Sequence, residues 1–374
     1  MRQKPRVLVI ASLGDPPYVG GIQNVVDTLV GSKLKERFDF AIMDTYRLPD
    51  PQRTRFEKAL YAARLTWSCL ARMRETQPDL VHIHFCSRVD FWKHSICLGV
   101  SRGCGVKTVF HLHGGAFREF LNEMTPLQVS VAKRVFRTAD RVIALSSFWK
   151  EVLLRLMPPE RIRVLSNPID CARLAPEPRQ TNPDRPTLLL LGRLGKNKGH
   201  YDVLKALPLV MDRFPNVLIQ FAGGDDEPDA TNDLKRLADE LGLAQNIEFL
   251  GPVSFEPKVE LLRTASMMIL PSYVENMPLS ILEAMAARVP VVATRVGAIP
   301  EVLDEGKVGI LIDPGDWRAL AQSINSLLED PSLAESLGKL GAKKARAIWD
   351  IGHIADQLEG LYSELLQSNT SDPS

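Results

Sequence analysis

Short runs rich in Val, Ile and Leu recur along the whole chain, each followed by a stretch with helical spacing. This alternation restricts the fold more than any other feature. In the first half the runs are "RVLVIAS" (6–12), "FDFAIMD" (38–44), "LVHIHF" (80–85), "TVFHLH" (108–113), "RVIALS" (141–146) and "IRVLSN" (162–167). After a Pro-rich stretch, "APEPRQTNPDRP" (175–186), they resume as "TLLLLGRL" (187–194), "VLIQFAGG" (217–224), "IEFLG" (247–251), "SMMILPS" (266–272), "VPVVATR" (289–295) and "VGILID" (308–313). Runs this continuous belong to strands buried on both faces, as in parallel sheets covered by helices. The Pro-rich stretch reads as a linker between two halves of six strands each. The expected fold is α/β, with two doubly wound Rossmann-like domains facing each other across a cleft. Ligand is then expected in the crevice at the carboxyl ends of the strands. "IADQLEGLYSELL" (354–366) reads as a last helix and "QSNTSDPS" as a frayed polar tail.

Composition excludes several classes. The chain is 45% hydrophobic and 24% charged, the balance of a globular protein in water. No apolar run approaches the ~18 residues of a membrane span. The apolar part of "MRQKPRVLVIAS" is too short for a secretory signal and reads as a first strand. Five cysteines, an odd number without a CxxC pair, fit buried thiols in a reducing cytoplasm better than a disulfide frame. The net charge of +1 hides an asymmetry. Residues 1–165 hold 26 Lys+Arg against 15 Asp+Glu, or +11; the remainder holds 20 against 30, or −10. The basic half is expected to meet something anionic: nucleic acid, a phosphorylated substrate or an anionic membrane.

Five loops stand at strand ends. "LGDPPYVGGIQNVV" is not GxGxxG, so no dinucleotide fingerprint is met. Gly20 and Gly21 there admit two readings, close backbone approach to an anion at a helix start or glycine for packing in a plain turn. In "LGRLGKNKGH" (191–200), Arg193, Lys196 and Lys198 cluster where a strand ends, among Gly192, Gly195 and Gly199. Arg offers a planar fork to phosphate oxygens and Lys a point charge. The alternative is a solvated basic loop, and the strand-end position favours the anion site. "PSYVENMPLSILEAMA" (271–286) carries Glu275 and Glu283 in a nearly uncharged run. Pro278 suits a helix start, so Glu275 falls in the loop and Glu283 about one and a half turns inside. The first amides of that helix, near Leu279 and Ser280, suit a phosphate. A carboxylate accepts two hydroxyl hydrogen bonds at once, which suits vicinal diols of a ribose or a hexose. A helix-dipole carboxylate would explain Glu275 tolerably, and Glu283 poorly among Leu282, Ala284, Met285 and Ala286. "VFHLHGG" (109–115) puts His113 at a strand's carboxyl end with His111 two residues deeper, and "VHIHF" carries His82 and His84 similarly. No spaced carboxylate or Cys set accompanies these pairs, so no metal site is expected. "AGGDDEPD" (222–229) reads as a solvated turn rather than an acidic metal loop.

These residues carry a resemblance. "GGIQNVV", "HLHGG", "SNPID" (166–170), "GRLGKNKG", the E-x7-E pair in "ENMPLSILEAMA" and "PVVATRVGAIPEVLDEGKVGILIDPGD" (290–316) stand in the order found in the retaining glycosyltransferases of family 4. Nearly the whole chain resembles that family, whose fold is GT-B. The resemblance implies a domain over 1–168, rejoined by a crossover helix at about 350–368, a nucleotide-sugar domain over 169–349 and a tail over 369–374. It implies transfer of a hexosyl unit, with retention, from a UDP-sugar or GDP-sugar to a sugar or lipid-linked acceptor. No cofactor and no metal are implied; Arg193 and Lys198 would neutralise the diphosphate instead. Glu283 would hold the ribose. Glu275, with Asn276, Met277 and Leu279 beside it, would hold the transferred sugar, and His113 would contact that sugar's hydroxyls. Gly20 and Gly21 would approach the phosphate, and the base would lie near Val253 in "GPVSF". The chain departs from the family's Gly-rich pattern at Asn276–Pro278 and at Pro168, so the sugar's identity is not carried across.

The basic half then acquires a candidate partner. In residues 53–74, with six Lys+Arg and one acid, Phe56, Leu60, Ala63, Trp67 and Leu70 recur near every 3.6 residues. Such a helix lies on an anionic membrane or buries its apolar face in the core. With the lipid-linked acceptors that the resemblance implies, the first reading puts a cytoplasmic protein at the inner face of a membrane, and the resemblance implies surface or exopolysaccharide synthesis. A nucleotide-sugar epimerase and a non-catalytic nucleotide-sugar-binding protein are the competing functions. A nucleic-acid binder explains the charge but none of the strand-end residues.

Overall fold

Among the described residues, all twelve expected strands form, in two parallel sheets of six. The structure is a computed structural model, and residues 4–14, 20–46, 54–174 and 178–367 are described. The first unit runs to Pro168 and takes in the helix Ile351–Gln367; the second is Ile169–Asp350. The polar tail at 369–374 lies outside the described residues.

In the first unit the strands are β1 (Arg6–Ala11), β2 (Asp39–Asp44), β3 (Leu80–Phe85), β4 (Lys107–Leu112), β5 (Arg141–Ala144) and β6 (Ile162–Val164), in the order β2-β1-β3-β4-β5-β6. In the second they are β7 (Thr187–Leu191), β8 (Leu218–Ala222), β9 (Ile247–Gly251), β10 (Met267–Leu270), β11 (Val291–Thr294) and β12 (Ile310–Ile312), in the order β12-β11-β10-β7-β8-β9. Each order reverses once, between β1 and β3 and between β7 and β10. Those are the topological switch points, where loops on either side diverge and leave room for a ligand. The central strands are buried along their length, as in β3, β10 and β11. That burial is why their sequences lack alternation.

Two expectations are corrected. The Pro-rich stretch is not the linker. Its described part, 178–186, is strapped to the second unit: the Arg179 guanidinium donates to the carbonyls of Ala265, Ser266 and Arg288, and the Gln180 amide donates to the Arg263 carbonyl at 3.0 Å. Burial pushes the Arg179 pKa down to about 10. The chain passes between units at 168/169 and 350/351 instead. The second correction concerns the helix Arg55–Thr76, which starts at a capping box made by Thr54 and Glu57. Its buried residues are Leu65, Cys69 and Met73, whereas Phe56 and Trp67 of the expected apolar face are 75% and 68% exposed. Leu60 and Ala63 are exposed with them, and Leu70 is half-buried.

Candidate active site

The loops after β7 and β10 flank the switch point of the second unit, and they are tied together. The Tyr273 amide donates to the Asn197 carbonyl at 2.8 Å. Between them Lys198 donates from Nζ to Glu275 Oε1 at 2.5 Å, and Ser272 Oγ donates to the same oxygen at 2.9 Å. The Lys198 stem runs over Gly192, 3.6 Å from where a Cβ would stand. His200 is buried below this loop, its Nδ1 beside the Gly195 backbone, and burial lowers its pKa to about 4. Gly199 lies at φ +75°, and a Cβ there would meet the Pro271 carbonyl oxygen at 2.1 Å. Glycine at 199 is therefore what lets the two loops touch.

The loop around Glu275 is braced from behind. Thr294 Oγ1 donates to the Ser272 carbonyl at 2.5 Å, and the Ala298 amide donates to the Asn276 carbonyl at 2.9 Å. Gly297, at φ +54°, would place a Cβ 2.1 Å from the Glu275 carbonyl oxygen. Asn276 and Met277 are buried, and Leu279, at the start of the helix Leu279–Ala286, is half-buried. Pro278 is the residue that caps this helix rather than its first turn.

Glu283 sits inside that helix and has a partner that the sequence did not announce. Lys258 Nζ donates to Glu283 Oε1 at 2.5 Å, with the two side chains 12% and 10% exposed. Burial pushes the Glu283 carboxyl above its ordinary value, against the downward pull of Lys258. Lys258 comes from the helix Phe255–Thr264, and its ammonium lies 5.2 Å from the centre of the Phe255 ring. The "GPVSF" stretch with half-buried Val253 leads into this helix, so it adjoins Glu283 through Lys258. Arg193 is turned another way. Its guanidinium donates to the Asp225 carbonyl at 2.8 Å and lies 3.5 Å from Asp226. Two acids of "AGGDDEPD" are thus engaged in the turn: Asp225 also accepts from Thr231, and Asp226 from Asn197.

In the first unit, Gly20 and Gly21 open the helix Gly21–Gly31. Gly20 has φ −77°, and a Cβ on either residue would meet nothing within 4 Å among the described residues. His113, just past β4, is half-buried, and its Nε2 shares a 2.8 Å hydrogen bond with His84 Nδ1. Burial lowers its pKa to about 3. Gly114 follows because a Cβ there would stand 2.8 Å from the Ser87 nitrogen.

The two parallel sheets with their surrounding helices define a protein of two Rossmann-like domains, in the GT-B manner. A sucrose-phosphate synthase of Thermosynechococcus elongatus superposes with TM-score 0.80 at 20% identity, covering 98% of this chain and all of the other. HepE of Anabaena in complex with UDP-glucose superposes with TM-score 0.76 at 20% identity, covering 96% and 100%. Residues 19–173 match the family model Glycosyltransferase Family 4, and residues 174–344 match Glycosyl transferases group 1. A D-inositol 3-phosphate glycosyltransferase of Corynebacterium glutamicum is 32% identical over 228 residues, 57% of this chain and 54% of that one. The chain spans about half the length of such inositol-phosphate relatives, 54% and 51% in two corynebacteria. The chain belongs to the glycosyltransferases of family 4.

Proposed function

We propose that this protein transfers a hexosyl unit from a nucleotide diphosphate sugar to a glycan or lipid-linked acceptor, with retention and without a metal. One observation carries the reading: at the switch point of the second unit each glutamate of the E-x7-E pair faces a lysine, Glu275 with Lys198 and Glu283 with Lys258. Surface ion pairs contribute little to stability, and buried ones are weak evidence for it. Two at one switch point suit a polar ligand that exchanges with them. The donor's diphosphate takes Lys198, joined by Arg193 once it swings from the 225–226 turn. The sugar and ribose hydroxyls then donate to the released carboxylates. In the first unit His113 contacts the sugar, and the unencumbered backbone of Gly20 and Gly21 meets the phosphate. The bond from the anomeric carbon to the leaving phosphate oxygen breaks. The acceptor oxygen bonds to that carbon on the same face, and its proton passes to the leaving phosphate. Positive side chains fixed beside that phosphate supply the counter-charge.

UDP-glucose is the first donor to test, because a structural neighbour is described in complex with it; a GDP-sugar is the second. The test is calorimetry with UDP, GDP and ADP without added metal, followed by product analysis with the matching sugar. Micromolar binding of one diphosphate and glycoside formation with retained configuration support the reading. Failure of all three to bind overturns it.

The acceptor side is read from the helix Arg55–Thr76. Exposed Phe56, Leu60 and Trp67 stand beside exposed Lys58, Arg64 and Arg74 on the half of the chain that carries +11. An apolar stripe flanked by cations suits the cytoplasmic face of an anionic bilayer. Among the described residues, no helix is long and apolar enough to cross a membrane. Lipid-linked acceptors of surface polysaccharide synthesis fit such a habit. Co-sedimentation with vesicles that rises with phosphatidylglycerol content, and is lost in Trp67→Ala, supports this; equal binding to neutral vesicles rejects it.

A further inference from the structure

Four of the chain's seven histidines form one block in the first unit. β3 and β4 are parallel with His84 beside His111, so alternation puts His82, His84, His111 and His113 on one face. Along each strand the rings stand one above the other: His82 and His84 at 4.2 Å between centroids, His111 and His113 at 4.2 Å. Across the strands they are hydrogen-bonded, His84 Nδ1 to His113 Nε2 at 2.8 Å and His82 Nε2 to His111 Nδ1 at 3.2 Å. The floor of the block is closed by Tyr362 of the helix Ile351–Gln367, whose Oη lies 2.6 Å from His82 Nδ1. His82, His84 and His111 are each 1% exposed. His113 alone reaches the surface, at the end of its strand.

A buried imidazole is unfavourable unless its nitrogens are paired. Burial keeps all four rings neutral, lowering His82 and His113 to about 3 and the other two well below the ordinary value. A neutral imidazole carries one N–H, so the two nitrogens of His113 have opposite roles. If Nε2 donates to His84, Nδ1 accepts, and the reverse. The His111 ring, 4.2 Å away and tilted by 39°, restrains rotation of His113, and a flip would break the 2.8 Å bond.

We infer that His84 is the positioning residue for His113: through their shared hydrogen bond it holds His113 in one orientation and one tautomer, and so fixes what Nδ1 offers at the strand end. The catalytic consequence rests on the reading of His113 as a sugar contact; the tautomer itself does not. A hydrogen-bonded partner behind a functional histidine has this role in metal sites and catalytic triads alike.

The test compares the wild type with His84→Phe, which keeps a ring and removes the nitrogens, and His84→Asn, whose amide stands near the place of Nδ1. Long-range ¹H–¹⁵N spectra near neutral pH, with His113 assigned through His113→Asn, report the tautomer without any substrate. Two well-separated ring nitrogens for His113 are expected in the wild type and in His84→Asn, collapsing toward an average in His84→Phe. An unchanged His113 in His84→Phe overturns the inference. The second readout is turnover of UDP-glucose. His84→Phe is expected to lower kcat roughly 10-fold to 100-fold, the penalty of a misplaced contact. UDP affinity should be unchanged, and His84→Asn should restore most of the rate. A rate unchanged in His84→Phe, while the wild type turns over, also overturns it. A wild type that neither binds nor turns over nucleotide sugar removes the glycosyl-transfer reading instead, and the spectra still decide the tautomer.

Discussion

Lys258→Met isolates the pair that the sequence hid. The substitution keeps the stem and deletes the ammonium that lies 2.5 Å from Glu283. Removing one partner of a buried ion pair costs about 3–5 kcal/mol. Both side chains keep a little exposure, so the lower end, about 3 kcal/mol, is expected. For a domain of the second unit's size that is roughly 6–12 °C in Tm. The pH dependence gives the sign. Burial already raises the Glu283 carboxyl above its ordinary value of 4.5, and Lys258 is what opposes the rise. Without the lysine the folded pKa climbs further. A carboxyl whose folded pKa exceeds its unfolded one binds more protons when folded. Its favourable contribution is therefore complete below the unfolded value and lost as pH rises through the folded one. The deficit of Lys258→Met should be small near the ordinary value of 4.5 and full well above the folded pKa. Calorimetric melts of the variant and the wild type across that range measure it. Lys258→Met/Glu283→Gln, with both charges gone, should recover to within about 1 kcal/mol of the wild type. A single variant that melts with the wild type at every pH would refute the pairing.

Three further outcomes follow from the candidate site. Lys198→Ala should weaken nucleoside diphosphate binding by about 1.5–3 kcal/mol, roughly 10-fold to 100-fold, by calorimetry; unchanged affinity would mean that the phosphate lies elsewhere. Gly199→Ala must hold φ +75° and push against the Pro271 carbonyl, so it should lose more than about 1 kcal/mol in urea unfolding. Gly20→Ala meets open space at φ −77°, so it should melt like the wild type. Its nucleotide-sugar turnover should nevertheless fall if that backbone meets the phosphate.

Much of the fold was legible because burial on both faces writes itself as unbroken Val, Ile and Leu. Glu275 and Glu283 were legible for the converse reason, as charges inside such a run. Lys258 was not. In "FEPKVELLRT" one more lysine among alternating charges carries no signal, and only the fold brings it across 25 positions to Glu283. The histidine pairs were visible as alternation on two strands, but their register, His84 beside His111, is a property of the sheet. The helix Arg55–Thr76 has two apolar stripes, and only one of them was legible. Spacing found Phe56, Leu60 and Trp67, while Leu65, Cys69 and Met73 face the sheet. Proline content marked irregular backbone at 178–186, which is a different thing from a boundary: Arg179 ties that stretch down through three carbonyls.

The helix Ile351–Gln367 gives the chain an order of assembly. It closes the first unit: Tyr362 meets His82 across 280 residues, Phe38 packs edge-on against the Tyr362 ring at 5.2 Å, and Glu364 pairs with Arg141 and Arg163. A ribosome delivers that helix only after the whole of Ile169–Asp350 has emerged. The first unit therefore waits for a segment made after the second, and until then His82 lacks its Tyr362 partner. A fragment ending at Pro168 reproduces this unfinished state permanently, whereas a fragment of 169–350 lacks none of its own strands. The second unit is the one to express alone, and the first is the one that needs the distant helix Ile351–Gln367 supplied, by circular permutation or in trans.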